Sequence, residues 1–244
     1  MPKIADVENF KLPTSNYGYS AVRPDALGAT EYTLVTLVVD KSSSVSGFAN
    51  ELEKATKEVV KSCKYSPRAD NLLLRTVLFD GRLTELHGYK PLAECNESDY
   101  DNLIKNGGTT ALFDTAQNCV EAKRAYAKQL TSQDYLVNGI LVLITDGEDV
   151  GSTFTMTNVT KEVGLATSDE SMESFVSILV GCNTSPSLSS YLQSLKDGVG
   201  FTQYVDIGNA NAKSLAKLAQ FVSKSITSQS QALGTGGPSQ SITF

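Results

Sequence analysis

One stretch limits what this chain can fold into more than any other. Leu34-Val35-Thr36-Leu37-Val38-Val39 has almost no polar alternation, and it ends abruptly in Asp40-Lys41-Ser42-Ser43-Ser44. A strand buried on both faces of a parallel sheet has this pattern, whereas a half-exposed strand alternates. Asp40, Ser42 and Ser44 then fall in the turn beyond the strand's carboxyl end, the edge at which open α/β sheets bind ligands. Alternate residues of an extended turn point the same way, so one carboxylate and two hydroxyls can converge. That is a hard-oxygen set, suited to Mg²⁺ or Mn²⁺ rather than zinc. The competing reading makes Asp40 the N-cap of a helix starting near Ser46 and the serines ordinary turn residues.

The rest of the chain alternates between apolar runs and amphipathic segments. Phe48 to Lys64 has Leu52, Ala55, Val59, Val60 and Cys63 at helical spacing. Leu72 to Phe79 predicts a second strand, and the Asp80-Gly81 turn leads to a hairpin partner, Leu83 to Tyr89. A short helix is expected at Ser98 to Ile104. Asn106-Gly107-Gly108-Thr109-Thr110 then opens a helix from Ala111 to Leu130, with Leu112, Ala116, Cys119 and Tyr126 inward. Val137 to Ile144 is another buried strand, and it too ends in a carboxylate turn, Thr145-Asp146-Gly147-Glu148-Asp149. Helices at Asn158 to Leu165, Leu188 to Leu195 and Asn211 to Ile226 are interleaved with strands at Phe175 to Val180 and Phe201 to Ile207. The alternation predicts a doubly wound, mainly parallel α/β sheet with one antiparallel edge strand and helices on both faces.

Three regions follow: an extended arm over residues 1–30, one α/β domain over 31–228 and a flexible tail over 229–244. The arm's aromatics, Phe10, Tyr17 and Tyr19, are expected to pack on the domain in preference to a partner. Ile242 and Phe244 give the tail a candidate docking end.

Charge and cysteine usage remove several function classes. A net charge of −6 without any Lys/Arg run argues against nucleic acid. No apolar segment approaches the roughly 20 residues that cross a bilayer, and residues 1–30 lack the basic and apolar regions of a signal peptide, so a cytoplasmic location is expected. Cys63, Cys95, Cys119 and Cys182 lie far apart with no CxxC pair, which disfavours zinc and a disulfide framework.

Asp40-x-Ser42-x-Ser44, Gly107-Gly108-Thr109 and Thr145-Asp146-Gly147 occur in an order that resembles the metal-ion-dependent adhesion site of the von Willebrand factor A domain family. The resemblance spans roughly residues 31–228 and is of the intracellular prokaryotic or phage type. It implies Mg²⁺ at the top of the sheet, bound directly by Ser42 and Ser44, by Thr109 in the ligand-competent state, and by Asp40 and Asp146 largely through water. Lys41, Ser43 and Val45 depart from the family's usual residues, and Thr110 is a competing hydroxyl beside Thr109. Glu148 and Asp149 are expected to be solvated. The implied function is a metal-dependent adaptor that engages an Asp or Glu of a partner protein. Signal-less members suggest a MoxR-type AAA+ ATPase or a tellurite-resistance-like stress system as context.

No enzyme motif competes with this. Gly-x-x-x-x-Gly-Lys-Ser/Thr and Gly-x-Ser-x-Gly are absent, and His87, expected to be a satisfied surface residue, lies far along the chain from Ser42. Two alternatives stay open: a Mg²⁺-dependent hydrolase using Asp40 or Asp146 as base, and a structural subunit whose metal only ties loops together.

Overall fold

The computed structural model describes residues 7–105, 107–235 and Phe244. In chain order the strands are β1 (Val7–Phe10), β2 (Tyr19–Val22), β3 (Glu31–Asp40), β4 (Leu72–Phe79), β5 (Leu83–Pro91), β6 (Leu136–Thr145), β7 (Ser174–Gly181) and β8 (Gln203–Asp206). The helices are α1 (Ala49–Lys64), α2 (Leu112–Thr131), α3 (Met156–Ser168), α4 (Pro186–Val199) and α5 (Ala212–Thr235).

The apolar run is the middle of β3, buried from Tyr32 to Asp40. It is sheltered at both edges as well as both faces, with β4 parallel on one side and β6 parallel on the other. β7 and β8 extend the parallel set, and β5 returns antiparallel along β4, giving the order β1-β2-β5-β4-β3-β6-β7-β8. Side chains of β3 alternate between two cores. Leu34 and Val38 join Leu112, Ala116 and Tyr126 of α2 and Val159 of α3, while Val35, Leu37 and Val39 join Leu52 and Val59 of α1 and Leu218 and Val222 of α5. This is the doubly wound, mainly parallel sheet with an antiparallel hairpin strand and helices on both faces.

Several expected elements change their bounds. The strand placed at Phe201 to Ile207 is confined to β8, and Ser98 to Ile104 yields only a 3₁₀ turn, Glu97–Tyr100, closed by Asn96 and Asp99. A 3₁₀ segment, Ser43–Phe48, precedes α1. The last helix runs on to Thr235, beyond the boundary placed at 228. Phe244 sets its ring edge-on to Phe221 with centroids 5.5 Å apart. Residues 1–6, Asn106 and the segment 236–243, with Ile242, lie outside the described residues.

The arm is more ordered than its composition suggests. β1 pairs antiparallel with β2, and β2 meets β5 through Ala21 and Tyr89. Phe10 stacks on the buried Tyr19. Polar groups of α2 hold the intervening loop and the end of β2: Asn118 Nδ2 donates to Tyr17 O (2.9 Å), Thr14 N donates to Glu121 Oε1 (3.1 Å), and Tyr126 Oη donates to Val22 O (2.7 Å). Glu85 of β5 accepts from Ser20 N (2.9 Å) and from the fully buried Arg75 Nε (2.5 Å). Gly88 permits this approach, because a Cβ there would lie 1.9 Å from Ser20 O.

Gly88→Ala is therefore expected to push β2 off β5 and to lower stability by about 1–3 kcal/mol, the usual cost of overpacking. Urea unfolding together with limited proteolysis checks this. An arm that stays protease-resistant at unchanged midpoint would refute it.

Candidate metal centre

The ends of β3 and β6 lie side by side because the strands run in register, Val39 opposite Ile144. That register sets Asp40 next to Thr145. Asp40 is 0% exposed, and both its oxygens are engaged: Oδ1 accepts from Ser42 N (2.8 Å) and Oδ2 from Thr145 Oγ1 (2.6 Å). Asp40 is thus no helix N-cap. It closes its own turn and ties that turn to the next strand, while Thr145 Oγ1 in turn accepts from Gly147 N (3.1 Å).

Above this carboxylate the hydroxyls form a line. Ser42 Oγ is 3.0 Å from Ser44 Oγ, and Ser44 Oγ donates to Asp146 Oδ1 (2.7 Å). Ser42 is buried and Ser44 exposed, so the line runs from the interior to the solvent rim. Four of the five expected positions, Asp40, Ser42, Ser44 and Asp146, are therefore brought together.

The two threonines part company. Thr109 is exposed and its hydroxyl points at the hairpin turn, where a Cβ on Gly81 would lie 2.7 Å from Oγ1. Thr110 is 6% exposed and its hydroxyl faces the loop after β6, where a Cβ on Gly147 would lie 3.4 Å from Oγ1. Backbone pairing holds Thr110 there, since Val150 N donates to Thr110 O (2.8 Å). The glycine pair before the threonines has a packing role of its own: a Cβ on Gly107 would lie 1.9 Å from Lys41 O, and Ser43 N donates to Gly108 O (3.2 Å).

Two supports have no local sequence signal. Asp80, in the β4–β5 turn, accepts from Ala111 N at its carbonyl (2.7 Å) and so steadies the threonine loop. Asp149, expected to be solvated, instead accepts from Phe113 N (3.1 Å) and Ser152 Oγ (2.5 Å), satisfying a free N–H in the first turn of α2. Glu148 is exposed as expected.

The donor set fits a hard divalent cation. Hydroxyl and carboxylate oxygens converge there, the ligand type that hard cations take. Asp40 and Asp146 form no ion pair among the described residues, so two largely buried carboxylates share one corner without a compensating charge.

No protein-family model matches the chain, and no curated protein matches it. Solved structures do resemble its fold. The PilB minor pilin of Streptococcus sanguinis is 15% identical with a TM-score of 0.59, over 89% of this chain and 66% of that one. Proximal thread matrix protein 1 from the mussel byssus, in a structure with a zinc-occupied MIDAS motif, is 19% identical with a TM-score of 0.54, over 81% of this chain and 46% of that one. The pilus adhesin SpaC of Lactobacillus rhamnosus GG is 12% identical with a TM-score of 0.58, over 91% and 34%. This chain spans about two thirds of the pilin and less than half of the other two. The likeness establishes a VWA-like fold.

Burial pushes the Asp40 carboxyl up to about 6, against the opposing pull of its bonds from Ser42 and Thr145, and the nearby Asp146 adds to the rise. Burial raises Asp146 too. A carboxyl with a raised folded-state pKa binds its proton more tightly folded than unfolded. Its contribution to stability is full below the unfolded value of 3.8 and is lost as pH rises through about 6. In EDTA, the chain is expected to lose up to roughly 3 kcal/mol across this window from Asp40 alone. Urea midpoints at a series of pH values, compared with Asp40→Asn, check this; parallel profiles for the two proteins would exclude it.

Proposed function

We propose that the chain is a divalent-metal-dependent protein-binding module that takes a carboxylate from a partner. The observation that carries this is the hydroxyl line from Ser42 through Ser44 to Asp146, with fully buried Asp40 behind it and solvent in front. Mg²⁺ or Mn²⁺ held there would supply a Lewis-acidic charge for an Asp or Glu of another protein. Ser42 and Ser44 would hold it through their hydroxyls. The third loop contributes Thr110 in place of Thr109, because the Thr110 hydroxyl is buried beside Gly147, the neighbour of Asp146, whereas Thr109 is exposed between Gly81 and Gly151. Asp40 and Asp146 provide the negative charge that retains a dication, and Thr145 orients Asp40. Neutral hydroxyls next to the ion leave its charge poorly quenched, which favours an anionic partner group.

No catalytic step belongs to this reading. His87, the one histidine of the chain, is half-buried, with Nδ1 bonded to Gly88 O (3.0 Å) and Nε2 to Tyr100 Oη (2.7 Å), and burial lowers its pKa to about 4. The resemblance named above extends the proposal to a cytoplasmic setting and to a MoxR-type AAA+ ATPase or stress-system component as partner. All four cysteines are buried and free, as suits a reducing compartment. Among the described residues no helix is long and apolar enough to cross a membrane.

Calorimetry should show Mg²⁺ or Mn²⁺ uptake that Asp40→Ala, or Ser42→Ala with Ser44→Ala, abolishes while the circular dichroism spectrum is kept. Thr110→Ala should weaken uptake at least about ten-fold and Thr109→Ala by less than about two-fold. Affinity purification with and without EDTA should lose the partner in parallel. Uptake indifferent to all of these substitutions would sink the reading.

A further inference from the structure

Lys41 stands between Asp40 and Ser42, and its backbone is fixed on the rim of the site. Its N–H donates to Phe79 O (2.7 Å), and the Gly107 segment lies against its carbonyl. The side chain reaches sideways to the β4–β5 turn, where Nζ is 3.4 Å from Asp80 Oδ2. This pair is loose. Both side chains keep solvent contact, at 21% and 18% exposure, and the separation is long for a charged hydrogen bond. Asp80 is also held independently, because its Oδ1 accepts from Arg82 N (2.9 Å). Arg82 itself is exposed and adds a second cation to the same turn. Across the site, the loop after β6 presents exposed Glu148. Two cations, Lys41 and Arg82, thus stand with one carboxylate, Asp80, on one side of the site, and Glu148 stands on the other.

Resting on the reading above, we infer that Lys41 determines specificity by taking a second carboxylate of the partner beside the one that reaches the ion. Asp80 is the counter-ion within the chain that this second carboxylate displaces. The partner segment therefore carries two neighbouring acidic side chains. Lysine suits such an exchange, being a point charge on a flexible stem that accepts either anion without a fixed fork geometry. Asp80 loses little on release, since Arg82 N and water still satisfy it. The gain is that of a part-exposed ion pair, which separates one-acid from two-acid partners by a modest factor and weakens with salt.

The test is a peptide array bearing Asp or Glu singly and in pairs at several spacings. It is read with the labelled full chain in Mg²⁺ and in EDTA, at low salt. The wild type should bind the best two-acid peptides about three-fold or more tighter than one-acid peptides, and high salt should shrink the difference. Lys41→Met should remove that preference while Mg²⁺ uptake, followed by calorimetry, is not weakened. Asp80→Asn, which keeps the acceptor for Arg82 N, should increase the preference. A preference that survives Lys41→Met, or an equal loss on one- and two-acid peptides, would overturn the inference and leave the carboxylate reading intact. Absence of Mg²⁺-dependent binding to every peptide would instead overturn that reading itself.

Discussion

A carboxylate with no access to water sits at the carboxyl end of the central strand, and the top of the molecule is arranged around it. Burying an ion is costly unless bonds or an opposite charge compensate. Asp40 has the bonds, from Ser42 N and Thr145 Oγ1, and these draw the ends of β3 and β6 into one corner. It has no partner of opposite charge among the described residues. The remaining demand for positive charge points outward along the line of serine hydroxyls. The core below and the loops above are thus linked by one electrostatic requirement.

Much of this was legible in the residues. The unalternating run at Leu34 to Val39 has the pattern of a strand buried on both faces, and a polar turn after such a strand falls on the edge where open α/β sheets bind ligands. What sequence spacing could not resolve was which of two adjacent threonines faces inward. The answer depends on Gly81 and Gly147, which leave room for different hydroxyls from loops far apart in the chain. Asp80 was invisible for a similar reason: its part is played by a backbone carbonyl, and carbonyls have no sequence identity.

The helices were read through their apolar positions, and that missed the polar side chains they bury. Lys123 falls on the inner face of α2, fully buried, and its Nζ donates to Leu34 O (2.6 Å) and Ile140 O (2.8 Å). Burial drives its pKa far down. Gly139 makes the space, since a Cβ there would meet Lys123 Cδ at 2.9 Å. Charge alone assigns a lysine to the surface. Only the missing side chain on a neighbouring strand reverses that assignment. The arm misled in the opposite direction, because its prolines and glycines concealed two short strands, the second of which meets a strand far along the chain.

Those two strands alter how the molecule meets its own copies. A sheet ending at β5 would present a nine-residue row of unpaired amides and carbonyls, a template for runaway stacking between chains. With the arm in place the outermost row on that side is only four residues long and carries Glu8, ion-paired to Arg23. A charge on so short an edge gives an incoming strand little to zip onto. The segment with the least regular composition thus shortens the row that another copy of the chain could pair with.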